Sequence, residues 1–299
     1  MVGRPDAVIS PAYRSTPWRF PLGKLWRYVR MYPLGATGAF LFVALVVVGV
    51  LAPVLSPSDP MRVDYGRQLQ PPSASFLMGS DYLGRDVLSR VLWGARTSLY
   101  IATLSVLVGQ GGGTVLGMLG AYVGPKTDMV IQRFLDILMS LPGLVLAMVL
   151  VPMMGQSLIA VILAIGVVQA PRAARVMRSV VLSLKGQDFI QAARALGCAH
   201  GRILWRHISP NAFSPLLIIA TAQLGTAILF EAALSFLGFG TPPPTPSWGR
   251  MLSSEGRDYF ETAPWLAIFP GVAISLSVFA ANLFGDALRD ILDPRLRRA

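Results

Sequence analysis

Six segments of this chain are apolar over most of their length, and this pattern constrains the fold more than any other feature. They cover roughly 35–55, 98–123, 134–154, 158–171, 212–239 and 265–283. Most of them reach the roughly 20 residues that a helix needs to cross the hydrocarbon core of a bilayer. The fourth is shorter, and we expect it to continue through Pro171 with a kink, because membrane helices tolerate proline. The sequence therefore predicts six membrane-spanning helices.

The composition agrees with a membrane protein and argues against the soluble classes. Hydrophobic residues make up 54% of the chain and charged residues 14%, whereas a typical soluble domain is about 45–50% apolar and about 25% charged. Too little polar surface remains to solvate a globule of 299 residues. A soluble enzyme, a disordered chain and a fibrous repeat are therefore disfavoured, and the expected fold class is an all-α integral membrane protein.

Basic residues are distributed unevenly among the segments that flank the predicted spans. The N-terminal segment, the second and fourth connections and the C-terminal segment carry 19 of them, and the other three connections carry 7. Basic residues accumulate in the cytoplasmic loops of membrane proteins, so both termini are predicted to be cytoplasmic. The net charge of +11 then reflects topology, and no nucleic-acid partner is expected.

The common catalytic and phosphate-binding motifs are missing from the sequence. The stretch nearest to a phosphate-binding loop is GAYVGPKT, in which Pro125 takes the place of a required glycine and lacks its N–H group. His200 and His207 lie seven residues apart with no acid between them, which excludes a His-Glu-x-x-His zinc motif. The single Cys198 excludes an intrachain disulfide. We therefore predict no catalytic residue, no metal site and no cofactor in this chain.

The connection between the fourth and fifth spans is the most informative part of the sequence. We expect a short helix over 188–196 with Asp188 as its N-cap. Gly197 is expected to end this helix, because glycine adopts the left-handed conformation at low cost. A second short helix is expected over 199–207, with Pro210 ending it. Two short helices at the cytoplasmic face suit a docking surface, and the alternative is a loop that packs only on its own bundle.

Four separated motifs stand out along the chain: Gln191-Ala-Ala with Gly197 and Ile208-Ser-Pro210; GSDYLGRDVLSR at 79–90 with GARTSL at 94–99; ALSFLG at 233–238; and GDALRDILDPR at 285–295. Together they resemble the permease subunits of ABC importers, most closely the dipeptide/oligopeptide/nickel branch. The motif of the fourth connection usually begins with Glu in that family. Gln191 keeps the hydrogen-bonding capacity of Glu but loses its charge, so a contact that depends on a carboxylate is not carried over to this position.

The resemblance implies a coupling helix pair between the fourth and fifth membrane helices, seated in a cleft of an ATPase subunit. The residues implied in this contact are Gln191, Ala192, Ala193, Gly197, Ala199, His200, Arg202, Ile203, Arg206 and Pro210. The implied partners are a second homologous permease, two ATPase subunits or domains that bind ATP and Mg, an extracytoplasmic substrate-binding protein and the lipid bilayer of the cell inner membrane. Catalytic residues and cofactors are assigned to the partners alone.

The implied domain organisation has three parts. A cytoplasmic segment covers 1–34, a permease domain covers 35–285, and a cytoplasmic tail covers 286–299. Within the permease domain, the outer loop covers 56–96 and the coupling segment 172–211.

The expected function is to form half of a translocation path for di- or oligopeptides that a binding protein delivers. A nickel-chelate or oligosaccharide permease of the same type is an alternative. A self-sufficient secondary transporter would need intramembrane charges along a path, and beyond Glu231 the spans offer little. Glu231 lies near the outer end of the fifth span. Two roles are open for it: a structural carboxylate bonded to a neighbouring helix or backbone amide, or a polar contact where substrate enters.

Two further patterns have structural and functional interpretations. Gly109, Gly113 and Gly117 form a stripe that lets another helix approach closely, either within this chain or on a partner subunit. In the outer loop, two acid–base pairs at a spacing of four, at 81/85 and 86/90, are expected on one helix face. We expect these charges to be structural, on a surface helix that could also receive the binding protein.

Overall fold

The computed structural model of the protein describes residues 33–292, and within this range the regular structure is helical apart from one isolated bridge, Ser80 to Asp86. The main helices are α1 (Pro33–Val50), α2 (Ala52–Leu55), α3 (Val87–Val123), α4 (Pro125–Ser140), α5 (Gly143–Met153), α6 (Leu158–Lys185), α7 (Asp188–Ala195), α8 (His200–Phe236) and α9 (Trp265–Leu292). Short turns occur at Tyr65–Arg67, Trp248–Arg250, Met251–Glu255 and Gly256–Asp258. Of the predicted terminal segments, 1–34 is described only at 33–34, and 286–299 is described over 286–292, the last part of α9.

Five of these helices are long and apolar enough to cross a membrane alone: α1, α3, α6, α8 and α9. The predicted third span, 134–154, is instead the pair α4 and α5, which meet at an angle of 97°. The bend has a local cause, because a residue before proline is disfavoured in the helical conformation. Leu141 precedes Pro142 and is extended, with φ −93° and ψ 140°.

The packing of α3 on α6 indicates that the bent pair makes one crossing. A Cβ atom at Gly109 would meet the backbone of Gly166, and one at Gly117 would meet that of Ala174. Residue numbers rise together along the contact, so the two helices run in the same direction. The chain between them must return to the starting end, and α4 with α5 provides that return. Six crossings within 33–292 confirm the predicted fold class.

Several helices extend beyond the predicted spans. The helix that contains the second span begins at Val87, not at 98, so the part of the preceding connection that precedes this helix covers 56–86. The fourth span continues through Pro171 as expected and reaches Lys185. The stretch 172–185 of the predicted coupling segment is therefore the last part of α6.

The described ends of the chain lie at the same end of the bundle. Near its start, α1 contacts α9 at Gly38 and Leu283, and near its other end it contacts α3 at Gly49 and Arg96. We call the end that carries 56–86 and 237–264 the loop end, and the opposite end, which carries α7, the coupling end. Both described chain ends at one end of the bundle agree with the even number of crossings in the predicted topology. The side of the membrane that each end faces stays a prediction.

The small-residue stripe of α3 packs within the chain. Gly113 lies against Ala170 and Ala173 of α6, one turn from the Gly109 and Gly117 contacts. Close backbone approach of this kind is the usual role of small residues in membrane helices. The intramolecular alternative for the stripe is therefore confirmed.

The acidic and basic residues of the loop end form a compact network, but the predicted surface helix was wrong. Residues 81–85 form a turn in which the N–H of Asp81 donates to the carbonyl of Arg85 and the N–H of Gly84 donates back to Asp81. The Nε atom of Arg85 lies 2.6 Å from Oδ2 of Asp81, and Nε of Arg90 lies 3.5 Å from the same oxygen. Asp86 is the N-cap of α3 and accepts a bond from the N–H of Ser89 at 2.8 Å.

Two tryptophan side chains fasten the loop end to the bundle. The indole N–H of Trp248 donates to the carbonyl of Val91 at 3.0 Å, and that of Trp265 donates to Ser80 at 3.1 Å. Trp248 is buried together with the central hydrophobic core. A second buried cluster, around Met118, Tyr122 and Ile190, lies at the coupling end and holds α7.

Candidate coupling site

The short helix α7 is anchored to the bundle by its apolar face. Ile190 is fully buried and Ala193 nearly so, both in the cluster that contains Tyr122. The N-cap is Gln187 and not Asp188, and it makes no side-chain capping bond. Asp188 is the first helical residue, where its charge favours the positive end of the helix dipole. The Nε2 atom of Gln191 donates to the carbonyl of Lys185 at 3.1 Å and so ties α7 to the end of α6.

Gly197 ends α7 as predicted. Its φ of +76° lies in the left-handed region, and its N–H donates to the carbonyl of Arg194 while that of Cys198 donates to Ala193. These two bonds form a Schellman motif, which closes a helix by satisfying its last carbonyl groups. The turn therefore depends on a conformation that glycine adopts without strain.

The predicted second short helix, 199–207, was wrong as a separate element, because it is the first part of α8. A π-helical turn, Ile203–Ile208, joins it to the membrane part of the helix. The N–H of Ser209 donates to Leu204, five residues back. Proline normally breaks a helix, since it lacks an N–H and its ring collides with the carbonyl four residues back. The wider π turn accommodates Pro210, so the helix passes through it.

Four helices of the coupling end meet around Tyr122, the next-to-last residue of α3. Its hydroxyl group lies 3.0 Å from Nδ1 of His200. Lys185 Nζ and the guanidinium carbon of Arg194 lie 5.7 and 5.6 Å from the centre of the Tyr122 ring. Lys185 also donates to the carbonyls of Ala121 and Tyr122, at 3.2 and 3.1 Å, and so caps the negative end of α3. We name Tyr122, Lys185, Arg194 and His200 the Tyr122 clasp.

The ten residues predicted for the coupling contact divide into an exposed and a buried group. Eight are exposed: Gln191, Ala192, Gly197, Ala199, His200, Arg202, Arg206 and Pro210. Ala193 and Ile203 are buried in this chain, so they anchor the coupling segment to the bundle. The exposed face combines small side chains with the guanidinium groups of Arg202 and Arg206.

Sequence reasoning missed the residues that hold the coupling segment in place. In the sequence, Tyr122 falls at the end of the apolar segment 98–123, and Lys185 and Arg194 are two of the basic residues of the fourth connection. A second tie, Asp128 with Arg178, joins α4 to α6 through paired contacts of 2.7 and 2.6 Å. One sequence signal for this contact exists: an aromatic residue at the end of one helix, with basic residues at the ends of two later helices.

Glu231 lies in α8 near the loop end and is completely buried within the chain. Ser235 donates to its Oε1 at 2.8 Å, and the hydroxyl groups of Ser98 and Ser247 lie beside the same carboxyl group. Oε2 has no hydrogen-bond partner among the described residues. This enclosure favours the structural alternative, and a role on the substrate path stays a prediction.

No group of three His, Cys, Asp or Glu residues in the described part of the chain could hold a metal ion.

Family models match most of the chain. Residues 113–298 match the binding-protein-dependent transport system inner membrane component. Residues 21–72 match the N-terminal transmembrane domain of oligopeptide transport permease C.

Named relatives cover nearly the full length. The chain is 39% identical to the dipeptide transport system permease protein DppC of Alkalihalophilus pseudofirmus, over 94% of this chain and 91% of that protein. It is 42% identical to the di/tripeptide transport system permease protein DppC of Pseudomonas aeruginosa, over 93% and 94%. It is 41% identical to the glutathione transport system permease protein GsiD of Pectobacterium atrosepticum, over 94% and 92%.

A solved structure supports the same fold. A chain of the inward-facing MetNI methionine ABC transporter aligns with a TM-score of 0.56 at 22% identity, covering 69% of this chain and 97% of that one. At this identity the likeness concerns the fold alone. Together with the full-length relatives and the six-crossing bundle, it leads to one conclusion. The chain belongs to the family of binding-protein-dependent transport system inner membrane components and is a multi-pass permease subunit of an ABC importer.

Proposed function

We propose that this subunit forms half of the translocation path for di- or oligopeptides in an importer that separate ATPase subunits drive. The relatives that are similar over their whole length are named for dipeptides, di- and tripeptides, and glutathione, which is itself a small peptide. These names support peptides over the nickel-chelate and oligosaccharide alternatives. The choice among peptide lengths would be made by the binding protein and the path together.

The proposed assembly contains a second homologous permease, two ATPase subunits or domains, and an extracytoplasmic binding protein. Membership of a binding-protein-dependent family supports the binding protein and the ATPase as partners. The second permease supplies the other half of the path. ATP and Mg would be bound by the ATPase subunits, and this chain would contribute no bond-breaking chemistry.

The exposed face of the coupling segment is the proposed contact with the ATPase. Ala192, Gly197 and Ala199 are exposed and small, so they permit close approach of a partner surface. Arg202 and Arg206 are exposed as well and can form charge-assisted bonds with acidic residues of the partner. The Tyr122 clasp would then pass a displacement of α7 to α3, α6 and α8 as one unit. Alternating access follows if ATP binding favours one arrangement of these helices over the other.

The proposed orientation places the coupling end, and both termini, in the cytoplasm. The basic asymmetry of 19 to 7 supports this orientation. The proposed domain organisation keeps the N-terminal segment 1–34, the permease domain 35–285 and the tail 286–299. The connection between α6 and α8 is shorter than the predicted coupling segment 172–211. It covers 186–199 and contains α7.

The test is co-purification and reconstitution of the whole complex. The chain should retain the ATPase subunits on a column, and proteoliposomes with the complex should take up a labelled dipeptide only with binding protein and ATP. The double change Arg202→Glu with Arg206→Glu should lose the ATPase. Arg62→Glu is the control, because Arg62 is also exposed but lies at the loop end. A secondary transporter would take up substrate without ATPase subunits, and that result would overturn the proposal.

A further inference from the structure

The exposed side-chain amide of Asn282 lies in the part of α9 that is expected to cross the membrane. This helix has 28 residues and is about 42 Å long at 1.5 Å per residue. Asn282 lies 17 residues after Trp265, or about 26 Å along the axis. A hydrocarbon core of about 30 Å centred on the helix would extend from about 6 to about 36 Å, so Asn282 lies well inside it. Its side chain is exposed.

Lipid is a poor neighbour for this amide. The carboxamide of Asn282 forms none of the hydrogen bonds found among residues 33–292, and hydrocarbon provides neither donors nor acceptors. Polar residues inside membrane proteins usually face a cavity or a partner for this reason. We propose that the face of α9 from Ile268 to Asn282 lines the translocation path, and that the Asn282 amide binds peptide groups of the substrate. This inference rests on the proposed function.

The same face carries an apolar surface furrow. It has a volume of about 600 Å³ and runs over residues 267–279, which falls within the roughly 300–1,000 Å³ range of small-molecule sites. Gly271 lies on its floor with nothing near a Cβ position, and Ser275 lies one turn further along. Asn282 follows Phe279 by three residues and therefore continues this face toward the coupling end.

The neighbouring helix makes room for the amide. A Cβ atom at Gly225 of α8 would lie 2.5 Å from Oδ1 of Asn282, so the carboxamide lies across this glycine. Two residues earlier, Gln223 accepts a bond of 2.8 Å from Nε2 of Gln110 on α3. Amide side chains on three helices therefore lie at a similar depth, and Asn282 is exposed whereas Gln110 and Gln223 are buried.

The apolar residues of the furrow fit a path for varied peptides. Ile268, Val272 and Phe279 are exposed by 52%, 56% and 56%. Such side chains tolerate substrates with different side chains, whereas an amide can recognise the peptide group that all of them share. A second permease could instead cover Asn282 with its own helix, and the experiment below separates that outcome.

The experiment uses cysteine accessibility in the full complex, reconstituted with its ATPase, second permease and binding protein. Asn282→Cys and Val43→Cys are each placed in a Cys198→Ser background and exposed to a membrane-impermeant thiol reagent. Val43 is the matched control, since it is exposed by 55% on α1 and its neighbour Phe42 stacks on Phe284 at the same depth. We expect labelling at 282 at least tenfold faster than at 43. Binding protein loaded with a dipeptide should slow it at least threefold.

Transport provides the second measurement. Asn282→Leu keeps the side-chain size but removes the amide, and it should lower dipeptide uptake at least fivefold while the complex still assembles and hydrolyses ATP. Labelling at 282 as slow as at 43 in a complex that transports dipeptides would overturn the inference and leave the proposed function intact. Labelling that appears only without the second permease would assign Asn282 to the subunit interface and would also overturn it. Failure of the wild-type complex to take up any peptide would instead overturn the proposed function, and with it the peptide-binding role.

Discussion

The hydroxyl group of Tyr122 lies 3.0 Å from Nδ1 of His200 and joins the end of α3 to the start of α8. The two residues are 78 positions apart in the sequence. The rings also meet edge to face, with centroids 5.6 Å apart. Because Lys185 and Arg194 contact the same tyrosine, the Tyr122 clasp joins four helices through one side chain. The clasp therefore offers a route, without a flexible loop, by which the proposed displacement of α7 would reach the membrane helices.

The first prediction compares two changes at Tyr122. Tyr122→Phe removes one hydrogen bond, worth about 0.5–1.5 kcal/mol, and keeps the ring. Tyr122→Ala also removes the ring from the buried cluster, where loss of an aromatic side chain costs about 3–5 kcal/mol. We expect Phe to retain most of the ATPase stimulation by loaded binding protein and Ala to lose most of it. Full stimulation with Ala in an assembled complex would exclude the clasp from coupling.

The second prediction concerns the turn between α7 and α8. Gly197 and Gly201 are both exposed, and neither has an atom near a Cβ position, so substitution creates no collision at either site. Only Gly197 has a positive φ, of +76°, and a left-handed conformation costs other residues about 1–2 kcal/mol. Gly197→Ala should therefore weaken coupling, and Gly201→Ala in the helix should not. The measurement is stimulated ATP hydrolysis in proteoliposomes.

Gly197→Pro is the stronger version of the same test. It removes the N–H that donates to Arg194 and fixes φ at a negative value. The variant should insert and fold, since the spans pack elsewhere, but it should lose the ATPase subunit or its stimulation. Normal stimulation would show that this turn does not transmit the ATPase movement.

The sequence predicted the membrane fold because the hydropathy of each segment can be read from consecutive residues, without knowledge of distant contacts. A helix that crosses lipid must satisfy its own backbone groups, so hydropathy marks the five straight crossings, whereas the bend between α4 and α5 is seen only in the structure. Continuation through Pro210 could not be read in the same way. Proline usually ends a helix, and the π turn that carries the helix through Pro210 buries Ile203 and Ile208 in a cluster with distant segments, which no local pattern indicates.

Side-chain contacts between distant residues were the other part that the sequence could not provide. The spacing of Asp81 and Arg85 predicted an ion pair correctly, but a tight turn satisfies that spacing as well as a helix does. The Tyr122 clasp requires the ends of four helices to lie close together, and no local sequence pattern predicts that contact. Gly197 was predictable because its role is a backbone conformation, which its residue type indicates directly.

The third prediction separates the two roles of Glu231. Its side chain is enclosed together with Ser98, Ser235 and Ser247. Glu231→Ala removes the acceptor of the Ser235 hydroxyl and leaves a buried polar group unsatisfied, at a cost of about 1–3 kcal/mol. It should lower the midpoint of thermal unfolding in detergent, whereas Glu231→Gln should change it little. Loss of peptide uptake in a Glu231→Gln complex of normal stability would return this residue to the substrate path.

The fourth prediction is the orientation of the bundle. Ser73 lies at the loop end and Gln187 at the coupling end, and both are exposed. In a Cys198→Ser background, Ser73→Cys should react with an impermeant thiol reagent in intact cells, and Gln187→Cys only after permeabilisation. Reaction of Gln187→Cys in intact cells would place the coupling end outside and would contradict the ATPase contact.

The last prediction tests the contact of α3 with α6, which sets the frame for both the clasp and the path. Gly117 is buried, and a Cβ atom there would overlap the carbonyl oxygen of Ala174, whereas Gly111 lies on the same helix with nothing within 4 Å. Gly117→Ala must push the helices apart, and overpacking of this kind costs about 1–3 kcal/mol. Gly111→Ala adds the same methyl group without a collision and with a better helix propensity, by about 1 kcal/mol.

The midpoint temperature of thermal unfolding of the purified subunit in detergent should therefore fall for Gly117→Ala. It should stay level or rise for Gly111→Ala. The displacement would start five residues, about one and a half turns, from the clasp residue Tyr122, so the Gly117 variant should also respond less to loaded binding protein. Equal stability of the two variants would mean that α3 and α6 are not in close backbone contact. The parallel arrangement inferred from that contact, and with it the six-crossing topology, would then lose its support.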